Sequence, residues 1–241
     1  MKKILFALSI FASLCAKAQN EMVVDPNAEV RTLNGSFSSI KVNGAIDVYV
    51  SQSDNEAVAV SASEDKFIRK IHTEVDNGVL KIYYEKEGGL HFGINTKDRK
   101  LKAYVSFKDI SKLDINGACD VHVAGMITES KLQLSCSGAS SFNGNVKVDD
   151  LEMDLSGASD IRIGGSAKTV DISSTGASDV KGFDLQTDVC TAKASGASDI
   201  NITVNKELNA HATGASSIMF KGEGAIKDRH SSGASSIERK S

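Results

Sequence analysis

A tight turn written around Gly-Ala returns every 18 to 21 residues from Gly117 to the end of this 241-residue chain. The first three copies read Asn116-Gly117-Ala118-Cys119-Asp120-Val121, Ser137-Gly138-Ala139-Ser140-Ser141-Phe142 and Ser156-Gly157-Ala158-Ser159-Asp160-Ile161. Four more follow at Gly176, Gly196, Gly214 and Gly233, and an eighth stands far upstream as Asn43-Gly44-Ala45-Ile46-Asp47-Val48. A fixed period of this length specifies a solenoid, in which each repeat buries its apolar face against its neighbours.

Apolar residues fall at constant offsets from the motif glycine. Six before it stand Leu132, Leu151, Val170, Cys190 and Leu208; four before it stand Leu113, Leu134, Met153, Ile172, Ala192 and Ala210. Two before it stand Ile115, Cys136, Leu155, Ser174, Ala194 and Ala212, and four after it stand Val121, Phe142, Ile161, Val180, Ile200, Ile218 and Ile237. Polar residues alternate with them, and a period of two marks strands with one face inward. Helical repeats would be longer, with apolar spacings of 3 and 4.

Each coil therefore reads as a strand, a Gly-Ala bend and a second strand. Glycine admits a backbone conformation that a Cβ penalises, and the Ser, Asn or Thr before it is expected to bond the turn amides. The unvarying Ala after it suggests a site with room for one methyl and no more. The fold class is all-β, a right-handed parallel β-helix with about seven short regular C-terminal coils. At about 4.8 Å per coil these make a rod on the order of 34 Å long.

Residues 27–110 carry the same alternation with looser spacing, in Ile46-Val48-Val50, Val58-Val60, Leu80-Ile82-Tyr84 and Leu101-Ala103-Val105. Ile40 to Val48 closely echoes Leu113 to Val121, which places both halves in one β-helix domain spanning 19–241, with larger irregular coils over 27–110 and regular ones over 111–241. The polar stretch from Glu85 to Lys100 reads as a long loop. All four tyrosines (Tyr49, Tyr83, Tyr84, Tyr104) lie in the first half, so aromatic recognition would belong there.

The first eighteen residues read as a signal peptide: Lys2 and Lys3, an apolar run from Ile4 to Leu14, and a small-x-small site at Ala16-Lys17-Ala18. Leu14 stands where a lipobox before Cys15 wants a small residue. The run is too short to span a membrane, so the chain is expected to be exported, to the cell surface or the periplasm. Removing Lys2, Lys3 and Lys17 takes the formal charge from -3 to -6. A mildly acidic chain with no basic run argues against nucleic acid as a partner. Cys119, Cys136 and Cys190 remain, an odd count that excludes a fully paired disulfide scaffold.

In the last coil Lys227 and Arg229 are read at inward positions, where earlier coils have apolar residues. Charge there discourages a further strand from stacking, so this coil reads as a cap.

Three constellations are candidates for chemistry. Asp160, Asp179 and Asp199 occupy one place in successive coils and are weak calcium candidates; carboxylates capping their own turns are the plainer reading. Asp150, Glu152, Asp154 and Asp171 cluster on adjacent coils, with Lys168 and Arg162 nearby in sequence, as in polysaccharide lyases or hydrolases. Yet Trp is absent and no Tyr lies beyond Tyr104, so the regular coils lack stacking platforms for sugars. No nucleophile elbow occurs, and His72, His91, His122, His211 and His230 show no zinc or triad spacing. The cysteines read as inert thiols. No catalytic residue, cofactor or metal is assigned, and the turn glycines Gly44, Gly117, Gly138, Gly157, Gly176, Gly196, Gly214 and Gly233 are read as structural.

The block Phe37-Ser38-Ser39-Ile40-Lys41-Val42-Asn43-Gly44 and the serial Ser-Gly-Ala-Ser turns resemble the GIN head-domain family of putative autotransporter adhesins, as does the tripeptide Gly93-Ile94-Asn95. The resemblance implies a secreted superhelix of Gram-negative bacteria, pectate-lyase-like in shape without the catalytic residues, and a role in cell adhesion. A trimer is implied by that analogy alone. The residues show no C-terminal membrane barrel and no heptad stalk. The expected function is a non-catalytic, surface-binding solenoid with a glycan or protein ligand; a polysaccharide-degrading enzyme and a periplasmic scaffold for an envelope protein are the alternatives.

Overall fold

The computed structural model describes residues 22–85 and 99–241. The expected signal peptide, Cys15, Gly93-Ile94-Asn95, His91 and most of the Glu85–Lys100 loop lie outside them. Among the described residues the chain is nearly all strand, wound as a β-solenoid of about seven turns.

The regular part consists of β9 (Asp120–Gly138), β10 (Ser141–Leu155), β11 (Asp160–Ser174), β12 (Asp179–Ala194) and β13 (Asp199–Gly214). Each runs almost a full coil from one Gly-Ala turn to the next and pairs in parallel with its neighbours. Two bends interrupt each strand without ending it. In β10 alternation breaks near Asn143–Asn145, where the register to β9 shifts, and again at the consecutive exposed residues Asp149 and Asp150. Inward residues next to the Gly-Ala turns meet their equivalents one coil away, so Val121, Phe142, Ile161, Val180, Ile200, Ile218 and Ile237 form one buried column. Leu132, Leu151, Val170, Cys190 and Leu208 form another. Burying such columns is the main stabilising term.

The N-terminal half is not a simple run of earlier coils. β2 (Ser39–Gly44) and β3 (Asp47–Gln52) flank the Gly44 turn. On one side they carry β8 (Lys112–Gly117) and the start of β9; on the other lie β6 (Val79–Tyr84) and β7 (Lys102–Phe107). Spatial order therefore departs from chain order: the coil formed by β2 and β3 is inserted between two that follow it. Gly44 sits directly on Gly117, with the Ala118 N–H donating to the Gly44 carbonyl at 2.7 Å.

Beyond β6 and β7 the pairing turns antiparallel. β4 (Ala57–Ser61) adds to β7, β1 (Glu29–Arg31) adds to β4, and β5 (Ile71–Asp76) adds to β6. A short helix, α1 (Asp65–Ile68), joins β4 to β5 and buries Ile68. Parallel stacking thus gives way to antiparallel strands at this end, where larger coils were expected. Antiparallel additions do not present the register a further parallel coil requires.

At the other end, β14 (Ser217–Lys221) and β16 (Ser236–Arg239) continue one face and β15 (Ala225–Gly233) lies on β13. Arg229 pairs with Ala210, an inward position, but Lys227 falls in a register shift and Ile226 is the residue opposite Leu208. Arg229 donates to the Ile237 carbonyl at 3.0 Å; Arg239 donates to the carbonyls of Gly222 and Gly224 at 2.6 and 2.8 Å. Guanidinium groups thus take up carbonyls at this edge.

Candidate binding surface

The Gly-Ala turns stack into one corner of the solenoid. Gly157 has φ +80°, and a Cβ built on it would lie 2.5 Å from the Gly138 carbonyl oxygen. Both the left-handed backbone and the close approach of coils therefore demand glycine there. The Ala158 N–H donates to that same carbonyl at 2.7 Å, and the other turns repeat the bond. From Ala118 onward every motif alanine is exposed, so no interior wall limits its side chain to a methyl.

The inward residue of the turn is the one after alanine. Ser140, Ser159, Ser178, Ser198 and Ser216 are buried, and each donates its hydroxyl to the carbonyl three residues back, for Ser159 to Ser156 at 2.9 Å. Cys119 places its thiol 3.4 Å from the Asn116 carbonyl in the same way. The residue before glycine does not bond the turn amides as expected: Thr175 donates to the Leu155 carbonyl of the preceding coil at 3.1 Å.

Next to this corner, two outward columns run side by side along the rod. One is Asp47, Asp120, Ser141, Asp160, Asp179, Asp199, Ser217 and Ser236, each opposite the next. The other is Tyr104, Tyr49, His122, Asn143, Arg162, Lys181, Asn201 and Met219. Lys181 ion-pairs with Asp160 and reaches Asp179 at 4.0 Å, and Ser141 donates to Asp120. Among the described residues no three His, Cys, Asp or Glu side chains are grouped to hold a metal ion. Asp47 is pushed above the usual carboxylate range, first by burial and then by the neighbouring Asp120.

The aromatic end of the second column is a stack. Tyr49 lies 5.4 Å from Tyr104 and 5.2 Å from His122, ring over ring. Tyr104 is buried beneath the segment around Asp25, whose N–H donates to its hydroxyl at 3.3 Å. Burial alone would raise the Asp25 pKa, but hydrogen bonds from Lys102 and Ser61 outweigh it and hold the carboxyl below its ordinary value. Both faces of Tyr49 are thus covered by its neighbours.

The carboxylates weighed for lyase or hydrolase chemistry lie on a different face. Glu152 stands opposite Asp171 and within 3.9 Å of Lys131, while Lys168 ion-pairs with Asp149 at 2.7 Å. Arg162 belongs to the column beside the Gly-Ala corner and does not join them. His72 meets Glu85 at 3.2 Å and stacks on Tyr83; His211 meets Asp228 at 2.9 Å and faces His230 at 6.1 Å. Cys119, Cys136 and Cys190 are free and buried, and burial pushes their thiols up to about 11, 12 and 12. A thiol so held stays protonated and is a poor nucleophile.

Residues 36–224 match the family model described as putative auto-transporter adhesin, head GIN domain. The chain belongs to this GIN head-domain family. A putative adhesin from Bacteroides fragilis shares the GIN solenoid at a TM-score of 0.80 and 20% identity, over 88% of this chain and 95% of that one. A putative adhesin from Parabacteroides distasonis does so at 0.67 and 23%, over 88% and 97%. A putative lipid binding protein from Parabacteroides distasonis does so at 0.65 and 22%, over 89% and 97%. At these identities the likeness establishes the fold. No curated protein matches the chain. No helix among the described residues is long and apolar enough to cross a membrane.

Proposed function

We propose that this GIN-domain protein is an exported, non-catalytic binding solenoid that acts in adhesion, with a glycan as its ligand. The observation that carries the reading is the pair of outward columns beside the Gly-Ala corner. They repeat hydroxyl, carboxylate, amide and cationic groups once per coil on a sheet built in register. A repeated row of this kind offers many weak polar contacts to an extended ligand, and affinity then comes from their number. The family and its structural relatives, described as putative adhesins, support the adhesion role. The non-catalytic reading is supported by the placement of acids and bases: Glu152 and Asp171 lie apart from Arg162, and the thiols are buried.

Two measurements test it. Protease shaving of intact cells, followed against a periplasmic control, should remove the protein. A glycan and matrix-protein array should then retain it on glycan spots. Full protection from protease would rule out direct adhesion, and retention on protein spots alone would replace the glycan with a protein ligand.

A further inference from the structure

Phe183 stands outside the regular ladder. On one side Arg162 pairs with Lys181 and the next partners are Gly164 and Asp184; on the other Gly182 pairs with Ile202 and the next partners are Gln186 and Thr203. Phe183 therefore has no register partner on either neighbouring strand. A bulge of this kind re-aims a side chain out of the ladder, and Phe183 is half-buried where Leu185, two residues on, is fully buried. The bulge is anchored by the Thr203 hydroxyl, which donates to the Phe183 carbonyl at 2.8 Å.

Two ammonium groups converge on this ring. Lys221 Nζ lies 5.0 Å from its centroid and Lys240 Nζ lies 5.4 Å from it. They come from β14 and from the residue after β16, so both lysines reach back along the rod to one phenylalanine. Neither forms an ion pair among the described residues, whereas Lys131, Lys168, Lys181, Lys206 and Lys227 all do. The local charge is also set apart. Residues 217–241 hold five basic and three acidic side chains, while residues 19–216 hold 20 basic and 28 acidic.

Two ammonium groups drawn over one aromatic ring, with no carboxylate on either, fit one ligand chemistry. The carboxylate or sulfate of a sugar takes the two ammonium groups and draws them off the ring, which leaves Phe183 to the apolar face of that sugar. An inorganic anion or a lipid headgroup would use the lysines and leave the phenylalanine without a role. We infer that Phe183, Lys221 and Lys240 form a docking site for an acidic polysaccharide at the C-terminal end of the solenoid. The site rests on the glycan reading given above and narrows it to an anionic sugar. It also places an aromatic contact on the regular coils, which the distribution of Trp and Tyr denies them.

The test measures binding of the full protein to polygalacturonate, to neutral dextran and to vesicles of phosphatidylcholine with a third phosphatidylglycerol. Polygalacturonate should bind and dextran should not, with affinity falling as salt is raised. The double variant Lys221→Gln/Lys240→Gln removes two charge contacts and should weaken polygalacturonate binding on the order of tenfold. Phe183→Ser should weaken it too while leaving salt dependence unchanged. All three side chains are at least partly exposed, and unchanged thermal melts would show the variants folded. No polygalacturonate binding by the parent protein, or binding that ignores both variants, overturns the site. Binding to the vesicles in place of polygalacturonate overturns it in favour of a lipid surface. A parent protein that adheres to cells yet does not bind polygalacturonate would leave the broader adhesion reading standing while removing this one.

Discussion

The side-chain amide of Gln52 lies against the backbone of Thr128 as a strand residue would, accepting its N–H at 2.7 Å and donating to its carbonyl at 3.1 Å. Backbone pairing between β3 and β9 ends at Val50 and Val123, so Gln52 carries the ladder past its last rung. The same amide donates to Lys108 and Glu129, joining the N-terminal strands to the first regular coil. Gln52→Leu keeps the size and removes the hydrogen bonds, and should cost about 2 kcal/mol. A melting temperature lower by about 4–8 °C in thermal denaturation is the expected outcome; an unchanged melt would show the amide to be idle.

The Gly-Ala corner makes opposite demands on adjacent residues. Gly157→Ala meets both a positive φ and the Gly138 carbonyl, and should cost about 3 kcal/mol or more. Ala158→Ser, one residue on, points into solvent and should stay within about 0.5 kcal/mol of the parent. Urea denaturation of the pair separates the two, and equal losses would sink this account of the turn.

Within the turn column Cys119 occupies the place of the buried serines. Cys119→Ser restores the stronger hydroxyl donor toward the Asn116 carbonyl and should stabilise by about 0.5–1 kcal/mol. A loss of stability would mean that the cavity is shaped for sulfur rather than for the hydrogen bond.

Burial of the thiols makes stability fall in alkali. Their folded pKa values stand near 11 to 12 against an ordinary 9.0, so above about pH 9 the unfolded chain releases protons that the folded one retains. Stability is full below that pH and declines as it rises toward the folded values. The triple variant Cys119→Ser/Cys136→Ala/Cys190→Ala should show a shallower decline in melting temperature between pH 8 and 10.5 than the parent. Parallel curves would assign the alkaline loss to other groups. In the parent a thiol reagent at pH 8 should label no cysteine before unfolding.

Truncations should act unequally at the two ends. Deleting residues 217–241 removes the last strands and uncovers Ala210 and Ala212, leaving a solenoid that still folds with a lower melting point. Deleting residues 22–52 takes out β2 and β3, on which both β6–β7 and β8–β9 depend. That variant should lose its β-sheet signal by circular dichroism. Survival of its sheet would contradict the inserted order of the coils.

How much of this was legible follows from how local each signal is. The inward columns were readable because a solenoid stacks each residue on its own equivalent, so one period fixes both strand and neighbour. The inserted coil was not readable: the echo between Ile40–Val48 and Leu113–Val121 pointed to one continuous domain, but nothing in the sequence stacked β2 and β3 on β8 and β9 or placed β6 and β7 on the opposite side. The antiparallel strands β1, β4 and β5 share the alternation of parallel ones, and alternation carries no direction. The tight site expected around Ala158 lies instead at Ser159, because invariance does not distinguish a buried residue from an exposed one. The cluster at Phe183 depends on a bulge that breaks the period, which is where pattern reading loses its footing.

The inserted coil also sets a schedule for synthesis. β3 leaves the ribosome by Gln52, yet its two partners are β7, complete at Phe107, and β9, which begins at Asp120. At about 5–20 residues per second, both sides of β3 stay bare for several seconds. Over that interval its Val48 and Val50 are open to the wrong strand, including the same strand of a second nascent chain. This early strand is therefore enclosed only after β7 is complete and β9 has begun, and its safe delivery depends on what shelters it meanwhile.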